Sequence, residues 1–109
     1  MDAFVVTTTM DGAAATVAVD GELDLATVEE LDAALSQVES NGSTTLCLDL
    51  ANVRFMDSTG LRCLLRARRR AEEGGRSFTL TNLPAGVERL FDVTGVGRIF
   101  EIAPTAKRL

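Results

Sequence analysis

The run Thr45 to Leu50 is apolar almost throughout, and it is followed by Asp57-Ser58-Thr59-Gly60 and then by a helical pattern that begins near Leu61. A strand without polar alternation is expected at the centre of a sheet, covered on both faces. Helices are the usual cover in such layered domains, so this one segment points to an α/β fold.

The flanking sequence agrees. Phe4 to Thr9 and Thr16 to Asp20 are rich in Val and Thr and are separated by Met10-Asp11-Gly12, which predicts two strands joined by a short turn. Gly21-Glu22-Leu23-Asp24 then breaks the strand pattern. Val28, Leu31, Leu35 and Val38 follow at helical spacing, with Thr27 and Glu30 placed for a capping box and Asn41-Gly42 as a stop. The second helix runs to about Glu73, with Leu61, Leu64, Leu65 and Ala71 as one stripe, Arg62, Arg66, Arg69 and Arg70 pointing elsewhere, and Gly74-Gly75 at its end. Ser77 to Thr81 alternates with Phe78 and Leu80 inward. Pro84 suits the first position of a third helix, buried through Val87, Leu90 and Phe91 and ended by Gly95. Arg98 to Ile102 reads as a last short strand, and Ala103 to Leu109 as a frayed tail.

The resulting order, β-β-α-β-α-β-α-β, predicts a mixed β-sheet opened by a β-hairpin, with helices packed on it through right-handed crossovers. Neither a linker nor an internal repeat divides it, so residues 1–109 are read as a single domain.

Composition narrows the function. A content of 46% hydrophobic and 25% charged residues suits a globular domain with one core, and the lack of Trp and Tyr leaves little material for stacking on nucleic acid bases. No Lys or Arg precedes Arg54, whereas ten acidic residues do; all eleven basic residues lie in the remainder with six acidic ones. A net charge of -5 therefore conceals a dipolar chain, consistent with electrostatic pairing to a protein and not with direct nucleic acid binding. Cys47 and Cys63 are too few and too far apart for a zinc site or a disulfide framework, so two reduced thiols are expected. Met1-Asp2-Ala3-Phe4 lacks a basic leader region, and no apolar run reaches the ~20 residues that cross a bilayer. A cytoplasmic location without membrane insertion follows as the expectation.

The strand-to-helix junction is the candidate site. In sheets of this kind sites gather at the carboxyl ends of parallel strands, and Ser58 lies just past such an end. The first turn of a helix has unpartnered N–H groups and the positive end of the macrodipole, so a phosphate on Ser58 would be tolerated there. Short polar residues such as Asp57 and Ser58 also serve as simple helix caps. Catalysis by Ser58 would need a base, yet the chain has no His, and its only Lys is Lys107. A phosphoryl-accepting Asp57 would call for paired acids after the first strand and a late Lys, and neither is found. The glycines do not form GxxxxGK[ST]. The arginines of the second helix fit a solvated face near a helix C-terminus better than a phosphate grip. Cys63 lies off the apolar stripe by helical angle, toward a neighbouring helix or the surface.

Several stretches taken together resemble one family: Gly21-Glu22-Leu23-Asp24, then Phe55-Met56-Asp57-Ser58-Thr59-Gly60-Leu61, then Asn82-Leu83 and Arg89-Leu90-Phe91-Asp92-Val93-Thr94-Gly95. They are similar to the bacterial anti-sigma factor antagonists, which are single STAS domains, and the resemblance spans nearly the whole chain in order and spacing. It implies that Ser58 is phosphorylated by a cognate anti-sigma factor, itself a serine-protein kinase using ATP. The unphosphorylated form would bind that partner and free a sigma factor, and a protein phosphatase would restore the hydroxyl. By the same resemblance Glu22 and Asp24 share the partner surface with Asp57, Ser58, Thr59, Gly60 and Arg62. Arg62 and Cys63 depart from the small or apolar residues common at these positions. No enzyme activity, cofactor or metal is expected. The alternative with the same fold is a regulatory subunit of a membrane transporter or a stress-signalling scaffold; the intact Asp57-Ser58-Thr59-Gly60 and the lack of a further domain favour the antagonist.

Overall fold

The computed structural model describes residues 3–103. Strands β1 (Val5–Asp11) and β2 (Ala14–Leu23) form an antiparallel hairpin, and β3 (Thr45–Met56), β4 (Ser77–Thr81) and β5 (Glu101–Ile102) continue the sheet in parallel, in the order β1-β2-β3-β4-β5. Helices α1 (Val28–Ser40), α2 (Ser58–Glu73) and α3 (Ala85–Thr94) make the three connections. This is the mixed α/β order expected from the sequence, opened by the expected hairpin.

Several boundaries differ, each for a local reason. The hairpin turns at Gly12-Ala13, because Gly12 takes φ of +63° and lets Asp11 pair directly with Ala14. Gly21 to Leu23 does not break β2 but extends it beside Val53, Phe55 and Met56 of β3. Two register irregularities along that pair insert extra residues into β3, so its buried side chains run Leu46, Leu48, Leu50, then Val53 and Met56. Each added residue restores the inward face, which carries the strand six residues past the apolar run to Met56. The strand is fully buried on one side only: Cys47 and Asp49 on the other are half-buried. Helix α2 starts at Ser58, ahead of the expected Leu61. Pro84 is the N-cap of α3 instead of its first helical residue. The last strand shrinks to Glu101–Ile102 because Val96–Arg98 winds into a 3-10 turn after Gly95. The tail beyond Ala103, expected to fray, lies outside the described residues.

The core joins the inward faces of β2, β3 and β4 to the helices. Val28, Leu31, Leu35 and Val38 of α1 are buried at the expected spacing. In α2 the buried stripe is Leu61, Leu64, Ala67 and Ala71, with Cys63 beside it, whereas Leu65 is only half-buried. Val87 and Phe91 anchor α3, with Leu90 half-buried, and Phe91 stacks on Phe100 at 5.3 Å between ring centroids. No capping box forms at α1. Thr27 sends its hydroxyl back to the Glu22 carbonyl (2.7 Å) and accepts from the Asp24 N–H (3.1 Å), tying the end of β2 to the start of the helix.

Candidate functional site at the start of the second helix

Ser58 is the first residue of α2 and is exposed. Among the described residues its hydroxyl has no hydrogen-bond partner. The cap is Asp57, in extended conformation, whose carboxylate accepts from the N–H groups of Thr59 (2.9 Å) and Gly60 (3.1 Å). Capping and exposure are thus divided between two neighbours, and the serine hydroxyl takes no part in the cap. The division also corrects the picture of an open, anion-hungry helix end. One carboxylate already holds two of the first N–H groups, and the Leu61 N–H bonds the Asp57 carbonyl at 3.0 Å. A phosphate on Ser58 would meet the helix dipole but also the Asp57 charge.

Gly60 explains how the junction is held. A Cβ placed there would lie 2.9 Å from the Leu23 carbonyl oxygen, the Leu23 side chain and the Met56 side chain. Only glycine lets α2 press onto the ends of β2 and β3 so closely. The Asp57 N–H adds a bond to the Leu23 carbonyl at 3.3 Å. These contacts bring the end of β2 to the start of α2: Glu22 lies opposite Phe55, and Leu23 opposite Met56.

The two acids at this end of β2 differ. Glu22 is exposed, whereas Asp24 is half-buried and shapes the turn, its carboxylate accepting from the Ala26 N–H (3.0 Å) and the Thr27 hydroxyl (3.4 Å). Leu25 between them and α1 is 77% exposed, and Phe55 is 50% exposed. Sequence reasoning passed over both as surface anchors. An apolar residue inside a polar turn was the available signal, since such exposure is a feature of interaction surfaces. Phe55 also lines an apolar groove of about 350 Å³ with Met56, Val87, Leu90 and Val93 between β3 and α3.

The arginines of α2 do not form one solvated face. Arg62 and Arg69 are exposed as expected, but Arg66 pairs with Asp32 of α1 at 3.1 Å, and the Arg70 Nε bonds both Glu39 carboxylate oxygens at 3.0 and 3.1 Å. The single Nε–H is shared between the two oxygens, a charge-assisted contact, and the half-buried setting shields the pair from solvent. Cys63 sits in the same α1–α2 seam, fully buried, its thiol donating to Asp32 at 3.3 Å. Burial first, and the Asp32 carboxylate second, push that thiol up to about 12. At neutral pH it is a packed, protonated thiol and not a nucleophile. Among the described residues no group of three or more Cys, Asp or Glu could hold a metal ion, and no helix is long and apolar enough to cross a membrane.

Comparison with known proteins places this arrangement. Residues 6–102 match the family described as "Mlab, STAS domain". The chain is 33% identical over 86 residues to the anti-sigma-B factor antagonist of Staphylococcus epidermidis, covering 79% of this chain and 80% of the relative. Among solved structures, an anti-sigma factor antagonist from Mycobacterium paratuberculosis superimposes with a TM-score of 0.85 at 24% identity, over 94% of this chain and 87% of that one. The anti-sigma factor antagonist SpoIIAA in its unphosphorylated form gives a TM-score of 0.75 at 27% identity, over 93% and 88%. The phosphorylated form of SpoIIAA from Bacillus gives 0.70 at 26%, over 93% and 91%. Family match, identity and fold agree: the chain belongs to the STAS-domain family, among its anti-sigma factor antagonists.

Proposed function

We propose that this protein is a phosphorylation-switched antagonist. Its unphosphorylated form binds an anti-sigma factor that is also a serine kinase, and phosphorylation of Ser58 abolishes the complex until a phosphatase removes the group. The observation that carries this reading is the exposed Ser58 hydroxyl at the mouth of α2, left without a partner while Asp57 caps the helix and Gly60 seats it. A kinase needs such a hydroxyl. The phosphorylated form of SpoIIAA, a structural relative at 26% identity, supports the same chemistry here.

Glu22, Asp24, Asp57, Thr59, Gly60 and Arg62 form or frame the surface around the serine, and Leu25 and Phe55 supply apolar contact area. A phosphoserine carries about -1.5 to -2 charge at pH 7. In solution that charge stays hydrated and the fold tolerates it. In a complex it must be desolvated beside Asp57, which costs several kcal/mol, or on the order of a thousandfold in affinity. The cytoplasm, where sigma factors act, is the expected compartment.

The test is incubation with candidate anti-sigma kinases and ATP, followed by mass mapping and a binding assay of Ser58→Ala and Ser58→Asp. The reading expects modification at Ser58, retained binding for Ser58→Ala under ATP and weakened binding for Ser58→Asp. No modification by any cognate kinase would instead favour a constitutive scaffold.

A further inference from the structure

The junction holds an unbalanced charge account once Ser58 is modified. Asp57 has already taken the N–H groups of Thr59 and Gly60, so a dianion on Ser58 gains few backbone donors and stands next to a carboxylate. Glu22, near the end of β2, and Asp24, just past it, lie at the same end of the sheet, and neither supplies positive charge. Of the cations on neighbouring elements, Arg54 of β3 is paired with Asp20 at 3.0 Å and Arg89 of α3 lines the groove beside Phe55 and Met56, which leaves the arginines of α2 as those on the serine's own helix.

Position along the helix selects the residue. At 1.5 Å of rise per residue, Arg66 lies about 12 Å along the axis from Ser58 and Arg69 about 16 Å. Arg66 is engaged by Asp32, Arg68 by Glu72 at 3.5 Å and the Ile99 carbonyl at 2.8 Å, and Arg70 by Glu39. Arg62 is one turn on from Ser58, at the i+4 position, where side chains on a helix face each other with about 5–6 Å between Cβ atoms. It is exposed, and among the described residues it has no ion pair or hydrogen bond. An acid N-terminal to a base at this spacing is also the orientation the macrodipole favours.

We propose that Arg62 is the intramolecular counter-ion of phosphorylated Ser58, so that modification adds a dianion to the docking surface and at the same time withdraws a free cation from it. This rests on Ser58 being the modified residue. The guanidinium forks onto two phosphate oxygens, a charge-assisted pair that an ammonium reproduces only as a point charge. Unmodified protein leaves Arg62 free for an acidic group on the partner. The modified protein has Arg62 folded back along α2.

The experiment uses full-length protein with phosphoserine built in at position 58 during synthesis, so it does not depend on any kinase recognising the chain. Phosphorus NMR follows the second ionisation of the phosphate against pH in the parent, in Arg62→Gln and in Arg62→Lys. Asp57 acts equally in all three proteins, so the expected result is a second ionisation about half a unit lower in the parent than in Arg62→Gln, with Arg62→Lys in between. Thermal melts of the unphosphorylated proteins should coincide, since Arg62 has no partner to lose. Superimposable titrations of parent and Arg62→Gln would overturn the proposal even if kinase and partner assays show Ser58 to be the switch.

Discussion

Gly60→Ala sets two helix effects against each other, and the structure decides the sign. Alanine is intrinsically favoured over glycine inside a helix by about 0.8–1 kcal/mol. At Gly60, however, the new Cβ would lie 2.9 Å from the Leu23 carbonyl oxygen, a backbone atom held in β2 by pairing with β3, and 2.9 Å from the Met56 side chain. Overfilling of this kind costs about 1–3 kcal/mol. Gly60 is third in α2, so in the first turn the helix preference counts for about 0.5 kcal/mol, and the net expectation is a loss of about 0.5–2.5 kcal/mol. Gly86, second in α3, is the control, because a Cβ there meets nothing within 4 Å. Gly86→Ala should gain about 0.5 kcal/mol, less than the full helix preference because it lies in the first turn. With about 2.1 cal/mol/K of unfolding entropy per residue over 109 residues, each kcal/mol moves Tm by about 4 °C. Thermal melts followed by circular dichroism should therefore show Gly60→Ala about 2–10 °C below the parent and Gly86→Ala about 2 °C above it. A Gly60→Ala protein as stable as Gly86→Ala would refute the close seating of α2 on β2, and with it the account of how Ser58 is positioned.

Two further perturbations read the site and its support. Asp57→Ala removes the acceptor for two N–H groups and should cost about 1–2 kcal/mol in urea unfolding, whereas Asp57→Asn keeps an acceptor and should cost only a few tenths; equal losses would show that charge and not capping matters there. Cys63 gives a pH signature. Its folded thiol is pushed up to about 12 from 9.0, so above pH 9.0 the unfolded chain ionises first and binds fewer protons, and stability falls as pH rises toward 12. Below pH 9.0 the contribution is complete. Cys63→Ala should lose that slope relative to the parent, and parallel stability curves for the two proteins would contradict a buried, hydrogen-bonded thiol.

Element order was legible in the chain because the periodicities are strong: Val28, Leu31, Leu35 and Val38 can only be one helix face, and the Val- and Thr-rich segments can only be strands. The reach of β3 was not. Its inward residues step by two as far as Leu50 and by three to Val53 and Met56, since the register irregularities depend on β2, which a local pattern does not contain. The capping box failed for a related reason: the Thr27 hydroxyl oxygen, which would have accepted from the Glu30 N–H, accepts from the Asp24 N–H and gives its proton to the Glu22 carbonyl, five residues back. At the site, Asp57-Ser58-Thr59-Gly60 could be located from sequence, but not which of Asp57 and Ser58 would cap. Only the backbone geometry, with Asp57 extended and Ser58 already helical, assigns the cap to one and the exposure to the other. Leu25 and Phe55 escaped notice because apolar residues are normally counted toward a core, and exposure is a property of the folded chain. The split of the arginines escaped too, since Asp32 and Glu39 reach them from α1.

The central claim is that charge on one exposed hydroxyl breaks a complex without disturbing the domain that bears it. It is tested most directly by titrating unmodified and Ser58-phosphorylated protein against the cognate anti-sigma kinase, alongside thermal melts of both forms. The account predicts an affinity lower by on the order of a thousandfold for the phosphorylated form with Tm changed by no more than a few degrees. Equal affinities, or a loss of binding that merely follows unfolding of the modified domain, would contradict it.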